Sequence, residues 1–458
     1  MKKFLAMILA ILMLLSMVAC GAKEEPAKEA AAEETNYAEA DVYELAKQLK
    51  EPIELTMWST RGPDDKLGAR WIACFEEYCA SFPDGMVKPN YITVANSNYQ
   101  EIYEKIPVAA AAGELPNLMV TEDASVLQYK DILLNLNDYV SDETIQNINV
   151  GLMKSCTDLD GARYGVPIGR SAVGMYVNMD ILNKYGIDPS ELETWSGFEK
   201  AIEKIYTESN GETYGWVLNL DWDCWYWESA IYSGGGQFLT DDGSKATFGK
   251  DYDYIGVNWL KVVQNAFANG SVLNCYDMQD PDTELERAFF EGRAAIMFNS
   301  TSMVQTCIDN SEFEVKAMLQ PAEEGCEPSI ASGGACVVVA DNTEDDIIRK
   351  IGAGFVEHML QDKWVVDFAQ HKPYFVTTYS ALEDPAIKEV TDANPNWEAV
   401  YNMADSIHKR ANSPYWTEIV AYMNDEIRTW VADSAKGDVY ELVDKLEARV
   451  NEIIEENS

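Results

Sequence analysis

The chain has 458 residues, of which 47% are hydrophobic, and this length favours two or more domains with substantial cores. Its 35 Lys and Arg residues stand against 77 Asp and Glu residues, and the resulting net charge of -42 repels nucleic acids and other polyanions. The 12 Trp, 24 Tyr and 14 Phe residues exclude an acidic chain that is disordered throughout. We therefore expect an acidic globular protein that does not bind DNA or RNA.

The first residues have the pattern of a secretion signal. Two lysines precede an apolar run at 4–15, and small residues lead up to Cys20, as in the bacterial lipobox. We expect residues 1–19 to be a signal peptide and Cys20 to carry the lipid anchor. Residues 20–51 are expected to form a flexible acidic tether, because 21–36 contain no large apolar side chain. This predicts an extracytoplasmic protein that is anchored to the cell membrane by lipid.

Beyond the tether, strand-like and helix-like segments alternate, which predicts an α/β fold. In the first part of the chain we expect strands at 53–58, 91–94 and 118–120, and helices at 66–81 and 99–112. In the later part we expect strands at 294–298 and 335–340, and three long closing helices at 343–370, 396–410 and 415–457.

The sequence contains little that points to catalysis. It has no P-loop, HExxH, CxxC or GxSxG motif, and its three histidines argue against a His-based triad or a zinc site. Asp241-Asp242-Gly243 resembles part of a calcium loop, but Tyr252 stands where the chelating Glu belongs, so we expect a turn there. The eight cysteines after Cys20 are scattered, and their spacing identifies no disulfide pair. We expect no cofactor, no metal and no catalytic residue.

An ordered series of short motifs in the middle of the chain resembles a known family. The motifs are Asp160 to Pro167 (DGARYGVP), Met175 to Asp180 (MYVNMD), Tyr185 to Pro189 (YGIDP) and Thr194-Trp195, with further matches at Phe290 to Ile296 and Ser332 to Ala335. In this order they resemble the extracellular solute-binding proteins of ABC transporters, in the group that holds the maltose-binding and glycerol-3-phosphate-binding proteins. The resemblance runs from about residue 52 to the C-terminus.

The resemblance implies two α/β lobes that are joined by chain crossings and hold the ligand between them. The implied N-lobe comprises 52–172 and 298–340, and the implied C-lobe comprises 173–297 and 341–458. The implied crossing strands lie at 173–178 and 294–298.

The resemblance also implies a set of ligand contacts, taken from the glycerol-3-phosphate-binding branch. They are Tyr99, Glu122, Ser171, Trp222, Trp225, Ser300, Gly333, Gly334, Tyr374 and Arg410. One departure from the family pattern is Arg170 beside Ser171, which either adds a contact to an anion or blocks the site.

These residue types suit a sugar or a polyol. Tryptophan rings cover the C–H faces of a sugar, while carboxylate, hydroxyl and guanidinium groups bind its hydroxyls or a phosphate. We expect Trp222 and Trp225 to be partly exposed, because acidic residues are interleaved with them. Trp227, on the same extended segment, is expected to serve stability more than binding.

The predicted function is the capture of a sugar or polyol between two lobes and its delivery to an ABC importer. The expected partners are this ligand, the permease subunits and the membrane through the lipid anchor, and the chain is expected to be a monomer. Three alternatives stay open. One is a glycerol-3-phosphate or glycerophosphodiester binder of the same fold, and another is a secreted hydrolase of glycans with Glu122 and Asp223 as acid and base. The third is a binder of peptides or polyanions, of which the net charge disfavours the polyanion.

Overall fold

Strands and helices alternate through most of the chain, as the sequence predicts for an α/β fold. The structure is a computed structural model that describes residues 35–94, 99–220, 224–276, 278–411 and 413–457. Its strands are β1 (Ile53–Ser59), β2 (Val87–Thr93), β3 (Leu118–Glu122), β4 (Val166–Asn178), β5 (Tyr214–Leu218), β6 (Val272–Asn274), β7 (Ala294–Ser300), β8 (Val315–Leu319), β9 (Ile330–Val339) and β10 (Ile407–His408). Each of the predicted strands overlaps one of these.

The described helices include both of those predicted in the first part of the chain. They are α1 (Val42–Ala46), α2 (Lys66–Ala80), α3 (Gln100–Ala112), α4 (Asp142–Gln146), α5 (Val150–Met153), α6 (Met179–Lys184), α7 (Trp195–Glu208), α8 (Trp225–Tyr232), α9 (Val257–Asn269), α10 (Pro281–Phe290), α11 (Val304–Asn310), α12 (Asp346–Met359), α13 (Asp362–His371), α14 (Tyr379–Leu382), α15 (Pro385–Ala393), α16 (Pro395–Asn402), α17 (Trp416–Ala432) and α18 (Val439–Asn457). Helix α3 ends at Gly113, whose φ of 71° favours glycine.

The three long closing helices predicted from the sequence are wrong in extent. The segment 343–370 is divided into α12 and α13, and 396–410 contains α16 followed by the short strand β10. The segment 415–457 is divided into α17 and α18 by a turn in which Ser434 and Ala435 have positive φ angles. Apolar periodicity continues across these breaks, because each shorter helix buries an apolar face of its own after the chain has turned.

Strand β4 joins two sheets. Its first half, up to Ala172, pairs antiparallel with β9, whereas from Val173 onward it lies between β7 and β8 and is antiparallel to both. The full strand order is β2-β1-β3-β9-β4-β7-β5-β6. The first sheet therefore comprises β2, β1, β3, β9 and the start of β4, and the second comprises the rest of β4 with β8, β7, β5 and β6.

The second predicted crossing strand is wrong. Residues 294–298 lie in β7, which pairs antiparallel with β4 and parallel with β5 and so stays within the second sheet. Strand β9 makes the return instead. Its first residues, Ile330 and Ala331, pair with β10, and the remainder pairs with β4 and β3 in the first sheet.

Each sheet is covered by its own hydrophobic core, which gives the predicted two-lobe α/β architecture. Buried side chains of the first core include Leu55, Met57, Trp71, Phe75 and Val337. Those of the second core include Trp195, Phe198, Trp216, Phe298 and Ile419. The two lobes meet along β4 and β9.

The lobes are not divided at residue 341, where the sequence analysis drew the boundary. Helices α12 and α13 contribute Ile351, Phe355 and Trp364 to the first core, although the predicted C-lobe segment 341–458 includes them. Their apolar faces pack on α1 and α2 of the first lobe. The first core is built from segments that are distant in the sequence, so a single boundary in chain order does not separate the two lobes.

The predicted tether is shorter than 20–51. The described residues from Asn36 onward belong to one compact unit, and α1 places Ala46 in the first core with no exposed surface. Cys20 and the predicted signal peptide lie outside the described residues. Within the part of the chain that is described, no helix has the length and apolarity needed to cross a membrane.

Candidate ligand-binding site

Three of the predicted contacts meet where β4 and β9 pair. Ser171 stands opposite Gly333, and Arg170 stands opposite Gly334, in the antiparallel register of the two strands. We call Ser332–Gly334 the crossing segment, because it lies between the first sheet and helix α8 of the second lobe.

The two glycines of the crossing segment permit close approaches from both sides. A Cβ atom on Gly334 would lie 2.3 Å from the carbonyl oxygen of Gly169, and the φ of 95° at Gly334 is one that other residues rarely adopt. A Cβ atom on Gly333 would lie 2.8 Å from Cζ2 of Trp225. The backbone of β4 and a tryptophan ring therefore both reach this stretch of main chain.

Arg170 is fully buried, and its guanidinium donates to several groups of the protein. Its guanidinium pairs with the carboxylate of Asp123, and its Nε donates to the carbonyl of Gly333 at 3.1 Å. The same Asp123 carboxylate accepts a hydrogen bond from Ser332 Oγ at 2.5 Å. Burial lowers the pKa of Arg170, but Asp123 together with the neighbouring Cys336 and Cys156 outweighs burial, so that pKa is raised. Neither predicted role of Arg170, an anion contact or a block, describes a side chain that instead holds the crossing segment.

The tryptophans near residue 225 are buried and helical, not partly exposed and extended as predicted. Trp225 opens α8, is 6% exposed, and donates from Nε1 to the carbonyls of Ala331 and Ser332 at 3.0 Å each. Trp227 lies on the same helix, is 1% exposed, and packs in the second core. Trp222, the other predicted contact here, lies outside the described residues.

Arg410 is buried against the crossing segment and is paired with a carboxylate. Its Nε lies 2.7 Å from Oε2 of Glu228, and its NH1 donates to the carbonyl of Ser332 at 3.0 Å. The guanidinium carbon also lies 5.7 Å from the ring centroid of Trp416. Glu228 in turn accepts a hydrogen bond from the Tyr232 hydroxyl at 2.6 Å. Arg410 is only 3% exposed and is held in this buried ion pair, and its contact with a ligand stays a prediction.

The remaining aromatic contacts gather in the first lobe, in what we call the tyrosine cluster: Tyr99, Tyr103 and Tyr374 with Arg61 and Glu122. The rings of Tyr99 and Tyr103 stack with centroids 6.4 Å apart, and the Tyr103 hydroxyl donates to Glu122. Arg61 donates from NH2 to the Tyr374 hydroxyl at 2.9 Å. Burial, followed by the neighbouring Tyr374 and Glu122, raises the pKa of Tyr99 well above its usual value. Burial also raises the pKa of Tyr103 well above its usual value, so the hydroxyls of Tyr99 and Tyr103 are neutral at physiological pH.

The tyrosine cluster adjoins the crossing segment through Gly169. A Cβ atom on Gly169 would lie 3.3 Å from the Tyr374 ring, while the carbonyl of Gly169 abuts Gly334. The chain after Tyr374 is bound to β4 as well, because the Phe375 N–H donates to the Arg170 carbonyl at 2.9 Å. Predicted contacts from both lobes thus lie along the paired backbones of β4 and β9.

Ser300 lies at the end of β7, opposite Val173 of β4. Its hydroxyl lies 2.9 Å from the Ser302 hydroxyl and accepts a hydrogen bond from the Ser302 N–H, so both of these bonds lie within one turn of the chain.

Among the residues that the structure describes, no three His, Cys, Asp or Glu side chains are grouped so that they could hold a metal ion.

Sequence reasoning missed Arg61, Asp123 and Tyr103. Arg61 lies two residues after the end of β1, and Asp123 directly follows β3. Strands β1 and β3 pair with each other in parallel. Ligands in open α/β sheets bind beyond the carboxyl ends of such strands, so this position was an available signal. Tyr103 lies one helical turn after Tyr99, where a second ring on the same face is expected.

The chain matches the family of bacterial extracellular solute-binding proteins over residues 77–398. This span is more than half of the chain. The chain belongs to that family.

Two relatives of this solute-binding protein are both described as arabinooligosaccharide-binding proteins. The one from Bacillus subtilis (strain 168) is 24% identical over 226 residues, which cover 48% of this chain and 46% of that protein. The one from Halalkalibacterium halodurans is 22% identical over 315 residues, 67% of each chain. The match to the first therefore spans about half of that relative's length.

Solved structures share the fold of this solute-binding protein. A cyclic α-maltosyl-1,6-maltose binding protein from Arthrobacter globiformis superposes with a TM-score of 0.74 at 22% identity, covering 88% of this chain and 100% of that one. UgpB from Mycobacterium tuberculosis, solved with glycerophosphocholine, superposes with a TM-score of 0.70 at 16% identity, covering 88% and 99%. These likenesses confirm the predicted two-lobe fold.

Proposed function

We propose that this chain captures a neutral sugar or polyol between its two lobes and delivers it to an ABC importer, without catalysing a reaction. The observation that carries the proposal is the meeting of the tyrosine cluster with the crossing segment, which both lobes contact. Aromatic faces suit the C–H surface of a sugar, and the neutral hydroxyls with Glu122 suit its hydroxyl groups. The names of the two relatives, which bind arabinooligosaccharides, support the same class of ligand.

A neutral ligand is favoured over a phosphorylated one by the charge balance. Arg170 pairs with Asp123, Arg410 pairs with Glu228, and Arg61 pairs with Asp65 at 2.8 Å. A phosphate would compete with a carboxylate for each of these guanidinium groups and would enter a protein of charge -42. The glycerophosphodiester alternative keeps the support of a structural neighbour solved with such a ligand.

A hydrolase is less well supported than a binding protein. The carboxylate of Glu122 accepts a hydrogen bond from Tyr103, and that of Asp123 is bonded to a buried guanidinium. Both carboxylates therefore already have a partner within the protein, whereas a glycan hydrolase needs two carboxyl groups that flank the glycosidic bond. Asp223, the predicted catalytic partner, lies outside the described residues.

The ligand class can be tested by the melting temperature of the purified protein in the presence of a panel of compounds. We expect neutral arabinose, galactose and glucose oligosaccharides to include one that raises it, because a ligand at 100 times its Kd stabilises the folded state by about 2.7 kcal/mol. Glycerol-3-phosphate and glycerophosphocholine should leave it unchanged. Tyr99→Ala should abolish the shift, whereas Tyr440→Ala on the surface of α18 should retain it. A shift with the phosphorylated compounds alone would refute the neutral ligand, and cleavage of the oligosaccharide on incubation would refute the absence of catalysis.

We also propose that Cys20 is lipidated and anchors the protein outside the cell membrane. Lipid burial supplies the attachment, because an acidic body is repelled by anionic headgroups. Cys20→Ser is expected to move the protein from the membrane fraction to the culture medium or periplasm. A variant that stays with the membranes would contradict this anchor, without bearing on ligand binding.

A further inference from the structure

Two buried cysteines from distant parts of the chain have their sulfur atoms side by side. Sγ of Cys156 lies 3.2 Å from Sγ of Cys336, although the two are 180 positions apart in the sequence. Carbon atoms in optimal contact are about 3.5 to 4.0 Å apart, and sulfur is the larger atom. The two thiols are therefore closer than ordinary packing requires.

Both cysteines are buried next to the crossing segment, which Ser155 reaches with its hydroxyl 3.4 Å from that of Ser332. Cys336 is on β9, two residues after Gly334, and Cys156 ends the short helical turn Lys154–Cys156 that follows α5. Neither residue has any exposed surface. The guanidinium of Arg170, which holds the crossing segment, also lies 3.4 Å from the Cys336 sulfur.

We propose that Cys156 and Cys336 form a disulfide in the mature protein. Only about 1 Å separates the present distance from the roughly 2.05 Å of an S–S bond. The family is extracellular, and disulfides form and persist outside the cytoplasm. The proposal is independent of which ligand the protein binds.

The bond forms by exchange with an external disulfide, either of a thiol–disulfide oxidoreductase or of a small molecule such as oxidised glutathione. One cysteine thiolate attacks a sulfur of that disulfide and releases one external thiolate, which leaves a mixed disulfide. The second cysteine thiolate then attacks the protein sulfur of the mixed disulfide and releases the other external thiolate. The pair gives up two protons and two electrons, and the external disulfide is reduced to two thiols. The hydrogen bond to Cys336 and burial raise the pKa of Cys156 well above its usual value, so the exchange has to precede the burial of this segment.

The disulfide would attach the segment before the motif at 160–167 to the strand that carries Gly333 and Gly334. A cross-link that closes a long loop removes conformational entropy from the unfolded chain, and the stabilisation grows with loop length. It would therefore stabilise the first lobe and help to hold the crossing segment against β4.

The test is a thiol map of the full chain, secreted and purified without reductant, then denatured in iodoacetamide and digested without reduction. We expect a cross-linked peptide that joins Cys156 to Cys336 and alkylation of the other six cysteines besides Cys20. Alkylation of all eight, or a cross-link between other cysteines, would overturn the proposal.

Melting temperatures give a second measurement. Dithiothreitol should lower the melting temperature of the wild type by several degrees. It should lower the melting temperature of the control variant Cys307→Ala by the same amount, since Cys307 is buried in a different hydrophobic cluster from Cys156 and Cys336. The double variant Cys156→Ala/Cys336→Ala should melt at the same temperature with or without reductant. If this variant does not fold, the thiol map of the wild type still decides the question.

Discussion

Replacing Arg410 with methionine is expected to lower the free energy of unfolding by about 3 to 5 kcal/mol, the cost of removing one partner of a buried ion pair. Arg410 and Glu228 pair beside the crossing segment, and their side chains are 2% and 0% exposed. The variant leaves a buried carboxylate without its guanidinium, and the Ser332 carbonyl without the bond from NH1. Urea unfolding followed by tryptophan fluorescence measures the loss.

Two control variants separate the buried pair from a general effect of charge. Glu228→Gln/Arg410→Met removes both charges and should recover a substantial part of the lost stability, because the uncompensated carboxylate is gone. Arg449→Met on α18 breaks pairs with exposed Glu452 and Glu456 and should cost less than about 1 kcal/mol. Equal losses for the Arg410 and Arg449 variants would contradict the buried pair.

The Arg410 variant also bears on the ligand. Since its guanidinium is engaged with Glu228, the preference between neutral and phosphorylated compounds should be unchanged when binding is measured at a temperature where the variant is folded. A selective loss of affinity for a phosphorylated compound would restore the predicted phosphate contact.

Trp225→Ala is expected to reduce both stability and binding. Truncation of a buried tryptophan typically costs about 3 to 5 kcal/mol of stability. The ring also packs on Gly333 and donates to the carbonyls of Ala331 and Ser332, so its loss frees the crossing segment. We expect the binding free energy for the ligand to weaken by about 1 to 3 kcal/mol, so that the Kd rises accordingly. Calorimetry below the melting temperature measures this change.

Trp227→Ala is the matched control, two positions along the same helix. Its Nε1 donates to the Gly256 carbonyl at 3.1 Å, and its ring packs edge-on to Phe238 and Phe248 in the second core. Stability should fall by about the same 3 to 5 kcal/mol while the Kd of the folded protein stays within about twofold. If Trp225→Ala leaves the Kd equally unchanged, Trp225 is a core residue alone and the crossing segment does not depend on it.

Local patterns in the sequence were sufficient for the elements that surround the site. The apolar run at 53–58 is β1, and the helix predicted at 99–112 stops at Gly113 because an αL residue there ends it at low cost. The ordered motifs between Asp160 and Trp195 identified the family, because each motif marks a particular strand or turn in a fixed succession. The net charge, a property of composition alone, already disfavoured a polyanionic partner.

Partner choice across the chain was beyond the sequence. With 77 acidic residues available, nothing local assigns Glu228 to Arg410 or Asp123 to Arg170, and both arginines looked like candidates for an anionic ligand. The burial of Trp225 likewise depends on a distant segment, because its ring packs against Gly333 of β9. The same holds for α12 and α13, which follow the second lobe in the chain but pack in the first core. Periodicity and turn residues are set by neighbours a few positions away. Ion pairs and core membership depend instead on contacts between segments that are tens to hundreds of residues apart, which only the tertiary structure brings together.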